Sequence, residues 1–254
     1  MFGQSTIAFT MKLKIVAGIL ILIHAYLAWG PIKTYSATYD EPVHLASGFL
    51  CLDVSHYEFN GYGHPAFSEM WSAIPLLFLK PFIPVHHPAW KSKRWTALNQ
   101  YQFADVFTFK NRISSEKLII AGRWAQVGLS VILGLLIMVF AFKLSGEKSA
   151  MISGILWAFS PNILSNASLI TTDLAFTTFY FLFFASLCLK RSHQTNMVSG
   201  LALGLCFCSK FTAVAIFPAL FLTGAWVFRA NFKKLLSSSV VKNALSICGS
   251  AAVV

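Results

Sequence analysis

Apolar positions run in long blocks broken by short basic stretches. The first block covers residues 15–29, behind Lys12 and Lys14, and the second covers 124–142, ending at Lys143, Glu147 and Lys148. A membrane-crossing helix needs about 20 apolar residues. At about 1.5 Å per residue, the apolar positions of 150–189 suffice for two crossings. The polar stretch Ser160-Pro161-Asn162 through Thr171-Thr172-Asp173 divides them, and Lys190, Arg191 and His193 close the pair. Residues 197–228 form another block, interrupted at Ser209-Lys210 and followed by Arg229, Lys233 and Lys234. A last block starts near Val240 and is still running at Val254. The pattern predicts an all-α polytopic membrane protein with about six complete transmembrane helices and a truncated seventh.

Lys and Arg collect in short cytoplasmic loops. With Lys12 and Lys14 inside, every short basic loop falls inside, provided that 197–228 is two short helices turning near Lys210. Residues 31–117 then form one long external loop. Two amphipathic helices lying on the membrane surface are expected there. One opens at Asp40-Glu41-Pro42 and runs through Leu52; the other follows His64-Pro65 and runs through Leu77. Residues 86–112, rich in Lys, Trp and Tyr, read as irregular and interfacial. The first block reads as a retained signal anchor, since no small-x-small cleavage site follows it.

Composition agrees. Of 254 residues 56% are hydrophobic and only 11% charged, against roughly 25% charged in a soluble domain. A disordered chain, a small disulfide scaffold and an ordinary soluble enzyme are excluded. The net charge of +11 belongs to membrane topology, so nucleic acid is not an expected partner. The five cysteines lack zinc-site spacing and read as structural. No Gly-rich phosphate loop and no G-x-S-x-G elbow is present, so a cytosolic nucleotide-sugar donor is not expected. A lipid-linked donor fits better.

With nine Asp and Glu in the chain, each carboxylate is informative. Asp40 and Glu41 stand at a helix start, where Asp40 either caps the helix or acts as a general base. Asp173 is either another cap or a functional carboxylate at membrane depth. Lys210 either snorkels to the interface or binds an anion. The topology brings Asp40, Asp173 and Lys210 to one level. His44, one turn after Asp40, and His64 either make ordinary polar contacts or hold a divalent metal with Glu41 or Asp40.

Four stretches in order carry a family resemblance. Thr38-Tyr39-Asp40-Glu41-Pro42-Val43-His44 resembles the first external loop of the GT-C superfamily of membrane glycosyltransferases, nearest to its dolichyl-phosphate-mannose protein mannosyltransferase-like branch. Asn60-Gly61-Tyr62-Gly63-His64-Pro65-Ala66-Phe67 resembles that family's His-Pro-Pro-Leu segment, with Ala66-Phe67 in place of Pro-Leu and Glu69 where a basic residue is common. Ser160-Pro161-Asn162 through Thr172-Asp173, and Gly200 through Ser209-Lys210-Phe211, resemble two later helix turns.

The resemblance implies an inverting sugar transfer from a polyprenyl-phosphate-linked donor to a protein, lipid or glycan acceptor on the non-cytoplasmic face. It implies Asp40 as catalytic base with Glu41 in support. Asp173, His44 and His64 would lie on the acceptor or metal side, and Lys210 and Arg123 would bind the donor phosphate. Family members are about twice this length. The chain is therefore expected to be the N-terminal part of a single transmembrane domain, inactive alone, and embedded in a cell membrane or the endoplasmic reticulum. A polytopic transporter or lipid flippase is the competing reading; charges at one face and a helical external loop count against it.

Overall fold

The computed structural model describes residues 10–57, 59–60, 63–91, 96–190, 192–227 and 238–254. Arg191, Arg229, Lys233 and Lys234, used above for orientation, lie outside them. Among the described residues the chain is all helical, with no strand. Two helices, α1 (Met11–Thr34) and α6 (Ser115–Ala158), are long and apolar enough to cross a membrane. Asp173–Leu187 and Phe211–Trp226 are apolar but shorter.

Helix α1 is longer than its apolar block. Its buried residues Leu13, Ala17, Leu20, His24, Ala28 and Ile32 recur every three or four positions, one face of a helix. That face packs on α6. A straight α6 of 44 residues would be about 66 Å long, too long for a bilayer. It breaks at Ser145 and Gly146, and Gly146 takes the positive φ of 80° that a side chain resists. The two legs then fold back on each other. Ala150 and Gly154 lie beside Met138, and the Trp157 ring lies where a Cβ on Gly134 would stand. The reversal falls inside the basic Lys143–Lys148 stretch, where the hydrophobic pattern put it.

Midway along this hairpin sits a polar side chain that the hydrophobic pattern hides. His24 bonds the Ala158 carbonyl through Nδ1 (3.1 Å) and Ser130 Oγ through Nε2 (2.9 Å), and stacks on Trp157. Both ring nitrogens are used, so it ties α1 to both legs of α6.

The polar divider 160–173 is partly helical. Ser160 and Pro161 start α7 (Pro161–Ala167), which carries the second leg on toward the level of Ala28, where Ser168 Oγ bonds the Ala28 carbonyl. Helix α8 (Asp173–Leu187) then returns, and α9 (His193–Ser209) runs back along it, joined by Ser186 and Ser199 hydroxyls 2.7 Å apart.

The chain bends at Lys210, whose backbone is extended. A 3-10 turn (Phe211–Ala215) and α10 (Ile216–Val227) follow. The last helix, α11 (Ser238–Ala251), lies parallel to α9. Asn196 donates to Asn243, Gly200 faces Ile247 and Ser250, and Gly204 faces Ala251 and Val254. Small residues four apart let the two backbones approach. Helices α9 and α11 start at the same end, and the bend at Lys210 separates α9 from α10.

At the end where α1 finishes, residues 35–114 build a cap, not a pair of surface helices. Helix α2 (Glu41–Val54) is buried at every position from Glu41 to Cys51. Its polar side chains Glu41, His44 and Ser47 are satisfied by buried hydrogen bonds and the rest is largely apolar, so it belongs in a core, which explains the departure from an interfacial amphipathic helix. The second expected helix is two pieces, α3 (Phe67–Ala73) and α4 (Leu76–Leu79), separated at Ile74-Pro75 because proline lacks the N–H that a continuous helix needs.

The 86–112 region is not irregular: it holds α5 (Ala97–Phe109). Thr96 and Asn99 form a reciprocal cap at its start, and Phe103, Ala104 and Phe107 form the stripe that packs on α2. Helix α3 anchors the cap into the bundle. Trp71 Nε1 donates to the Ala125 carbonyl at 2.7 Å, and the Phe67 ring meets Phe179 of α8.

Candidate active site at the cap end of the bundle

The cap is held down by Glu41 and Arg123. Both are buried, at 0% and 1% exposure. Arg123 donates Nε and Nη2 to the two Glu41 oxygens at 2.8 and 2.7 Å. Nη1 donates to the Ile32 and Tyr35 carbonyls, and Nη2 also to that of Ser36. Glu41 further accepts the backbone N–H groups of Thr38 (2.7 Å) and Ile170 (2.9 Å). Burial alone pushes the Glu41 carboxyl up; the Arg123 hydrogen bonds and the two backbone donors outweigh it and hold the value below the usual range. All five guanidinium N–H groups are spent inside the protein. The geometry thus makes this pair a clamp joining α1, α2, α6 and the turn before α8, and leaves Arg123 no donor for a phosphate.

Asp40 is different. It occupies the N-cap position of α2 yet makes no capping bond, and it is exposed. Its Oδ1 accepts the Tyr101 hydroxyl at 2.5 Å, and Tyr101 stacks on Tyr39. Burial, then the bond to Asp40, raises the Tyr101 hydroxyl, so it stays a donor at neutral pH. Pro42, in the first turn, and Glu41, pointing inward, start the helix without a side-chain cap.

Asp173, in the first turn of α8, pairs with Lys210 Nζ, and both are partly exposed. This ion pair bridges two chain turns. Exposed pairs contribute only about 0–1 kcal/mol, so either partner can be drawn to a ligand.

His44 and His64 meet edge to face with ring centroids 5.1 Å apart. His44 Nδ1 bonds Glu69 at 2.9 Å, and Glu69 also accepts from Asn60 and Ser47. Burial and His44 lower the His64 value, Lys210 lowers it further, and Glu69 and Asp40 pull the other way. The charges of Lys210 and Asp40 both reach this ring. Gly48 is obligatory here, because a Cβ would land on the Glu69 carbonyl. Among the described residues no group of three His, Cys, Asp or Glu is arranged to hold a metal ion.

The structure therefore gathers Asp40, His44, His64, Asp173 and Lys210 at one end of the bundle. It assigns Glu41 and Arg123 to the support beneath them. Sequence reasoning did not single out Glu69 and Tyr101, which the structure sets against His44 and Asp40. Glu69 carried a signal, an acid on an apolar helix; Tyr101 carried none.

The described residues thus form a helical bundle with two long apolar helices, capped by a helical loop, with carboxylates and a lysine at that one end. Residues 108–253, more than half of the chain, match the dolichyl-phosphate-mannose-protein mannosyltransferase family. The chain belongs to that family and is a membrane glycosyltransferase using polyprenyl-phosphate sugar donors. No curated protein and no solved structure matches it. The matched region holds Arg123, Asp173 and Lys210; Asp40, His44, His64 and Glu69 lie before it.

Proposed function

We propose that the protein transfers a sugar from a polyprenyl-phosphate donor, with inversion, to an acceptor hydroxyl at the non-cytoplasmic membrane face. The observation that carries the reading is Asp40: an accessible carboxylate that caps nothing, oriented by Tyr101, at the same end as Lys210. Tyr101 occupies one oxygen and leaves the other for a proton. The acceptor oxygen attacks the anomeric carbon opposite the phosphate while Asp40 takes its proton. The bond from that carbon to the phosphate oxygen breaks, and its electron pair leaves with the polyprenyl phosphate. Lys210 meets the added charge by exchanging Asp173 for phosphate. Asp173, released from Lys210, then faces the acceptor side. The clamp of Glu41 and Arg123 keeps Asp40 in place without touching substrate. A transporter reading has less support, since the mid-bundle His24 is wholly consumed by internal bonds.

Lys210→Ala tests the phosphate role. Loss of a charge-assisted bond worth about 1.5–3 kcal/mol is expected to raise the donor KM by about tenfold or more and leave the acceptor KM near its original value. An unchanged donor KM removes Lys210 from the mechanism.

The proposed crossings, with Lys12 and Lys14 inside, place the cap outside. With Cys188 and Cys248, both exposed, changed to serine, Leu98→Cys is expected to react with an impermeant maleimide on intact cells. Lys148→Cys is expected to react only after permeabilisation. The reverse pattern inverts the active face.

A further inference from the structure

Glu69 is 1% exposed on apolar α3, and its bonds reach α2 and the turn that carries His64. Oε1 accepts Nδ1 of His44 at 2.9 Å and Nδ2 of Asn60 at 2.5 Å; Oε2 accepts the Ser47 hydroxyl. Asn60 in turn receives, on its backbone carbonyl, the N–H groups of Gly63 (2.9 Å) and His64 (3.1 Å). The carboxylate thus braces His64 twice: through the backbone turn at Asn60, and through the His44 ring lying edge-on beside it. Gly48 lets α3 come close enough for both.

The braced ring itself is half-buried and makes no hydrogen bond among the described residues. Burying a carboxylate is costly unless its hydrogen bonds are satisfied. Here two of those bonds, to His44 and Asn60, lead to an imidazole that has no hydrogen-bond partner among the described residues. The surrounding charges are Asp40 at the start of α2, Glu69 on α3, and Lys210 with Asp173 at the ends of α9 and α8. Helix α3 also rests against α9, the helix that ends at Lys210. Of these neighbours, Lys210 is the one that the glycosyl-transfer reading gives to the leaving phosphate.

We propose that Glu69 is a positioning residue that, through His44 and Asn60, presents His64 as a second hydrogen-bond donor to the phosphate of the lipid-linked sugar, beside Lys210. The inference rests on the glycosyl-transfer reading above. No proton is transferred. The imidazole N–H donates to a phosphate oxygen, and the bond strengthens as that group gains charge when the glycosidic bond breaks.

The test uses the full-length protein in lipid nanodiscs. Polyprenyl-phosphate mannose serves as the donor for kinetics, and polyprenyl phosphate alone as the binding probe. His64→Gln is expected to raise the donor KM and the Kd for polyprenyl phosphate by about tenfold, with the acceptor KM and the unfolding midpoint unchanged. Glu69→Gln is expected to raise the same two quantities, and the double variant to bind no worse than the weaker single one, because both act through one contact.

An unchanged donor KM and Kd in His64→Gln overturns the proposal, as does a fully additive double variant. If the wild-type protein neither binds nor turns over the donor, the glycosyl-transfer reading falls and takes this one with it. If Asp40→Asn stops transfer while His64→Gln changes nothing, only the inference about Glu69 and His64 falls.

Discussion

Asp40→Asn is expected to lower sugar transfer by about 10²–10⁴-fold, the usual contribution of a positioned general base, while expression, membrane insertion and donor binding persist. The reasons are local. Asp40 is exposed and caps no helix end, so the substitution removes no fold-supporting bond. Asparagine keeps a carbonyl oxygen for the Tyr101 hydroxyl, and the position stays ordered. What disappears is the capacity to accept the acceptor's proton. The measurement is radiolabelled sugar transfer from polyprenyl-phosphate mannose in membranes, alongside binding of polyprenyl phosphate. Transfer at the wild-type rate would remove Asp40 as the base. Tyr101→Phe is the softer companion, because it loosens the carboxylate without discharging it.

The largest loss of stability is expected from Arg123→Met. Removing one partner of a buried, hydrogen-bonded ion pair costs about 3–5 kcal/mol, since the other charge stays buried and uncompensated. Here Glu41 would keep only its two N–H donors and the Thr38 hydroxyl, and the carbonyls of Ile32, Tyr35 and Ser36 would lose theirs. The cap should loosen from the bundle, seen as a lower thermal midpoint in detergent and faster proteolysis between α1 and α6. Transfer should fail too, although neither residue faces the site. A weaker donor affinity with an unchanged midpoint would instead restore Arg123 as a phosphate ligand.

The pH dependence follows with a definite sign. Glu41 sits below its unfolded value, so its contribution is fully present above the ordinary carboxyl range. It is lost as pH falls through the lowered folded value. Glu41→Gln should flatten that acid-side loss.

The contrast between Asp40 and Glu41 shows what was readable in advance. The adjacent acids look alike in the sequence, and both were natural candidates for chemistry. One helical step of about 100° turns Glu41 into the interior and leaves Asp40 outside. Which acid faces Arg123 depends on where α6 packs, 82 residues away. The same holds for Arg123, which looks like a free cation near a span end until the carbonyls of α1 surround it.

Local pattern alone determined the two long apolar helices, the reversal at Lys143–Lys148, the bend at Lys210 and the helix at Glu41, because hydrophobic runs, basic flanks and proline positions act over a few residues. Tertiary structure alone decided that α2 is core and not surface, that residues 97–109 are helical, that Glu69 and Tyr101 bond His44 and Asp40, and that Glu41 and Arg123 are buried against each other. Burial and hydrogen-bond partners are set by segments far apart in the chain, and only the packed fold brings those segments together.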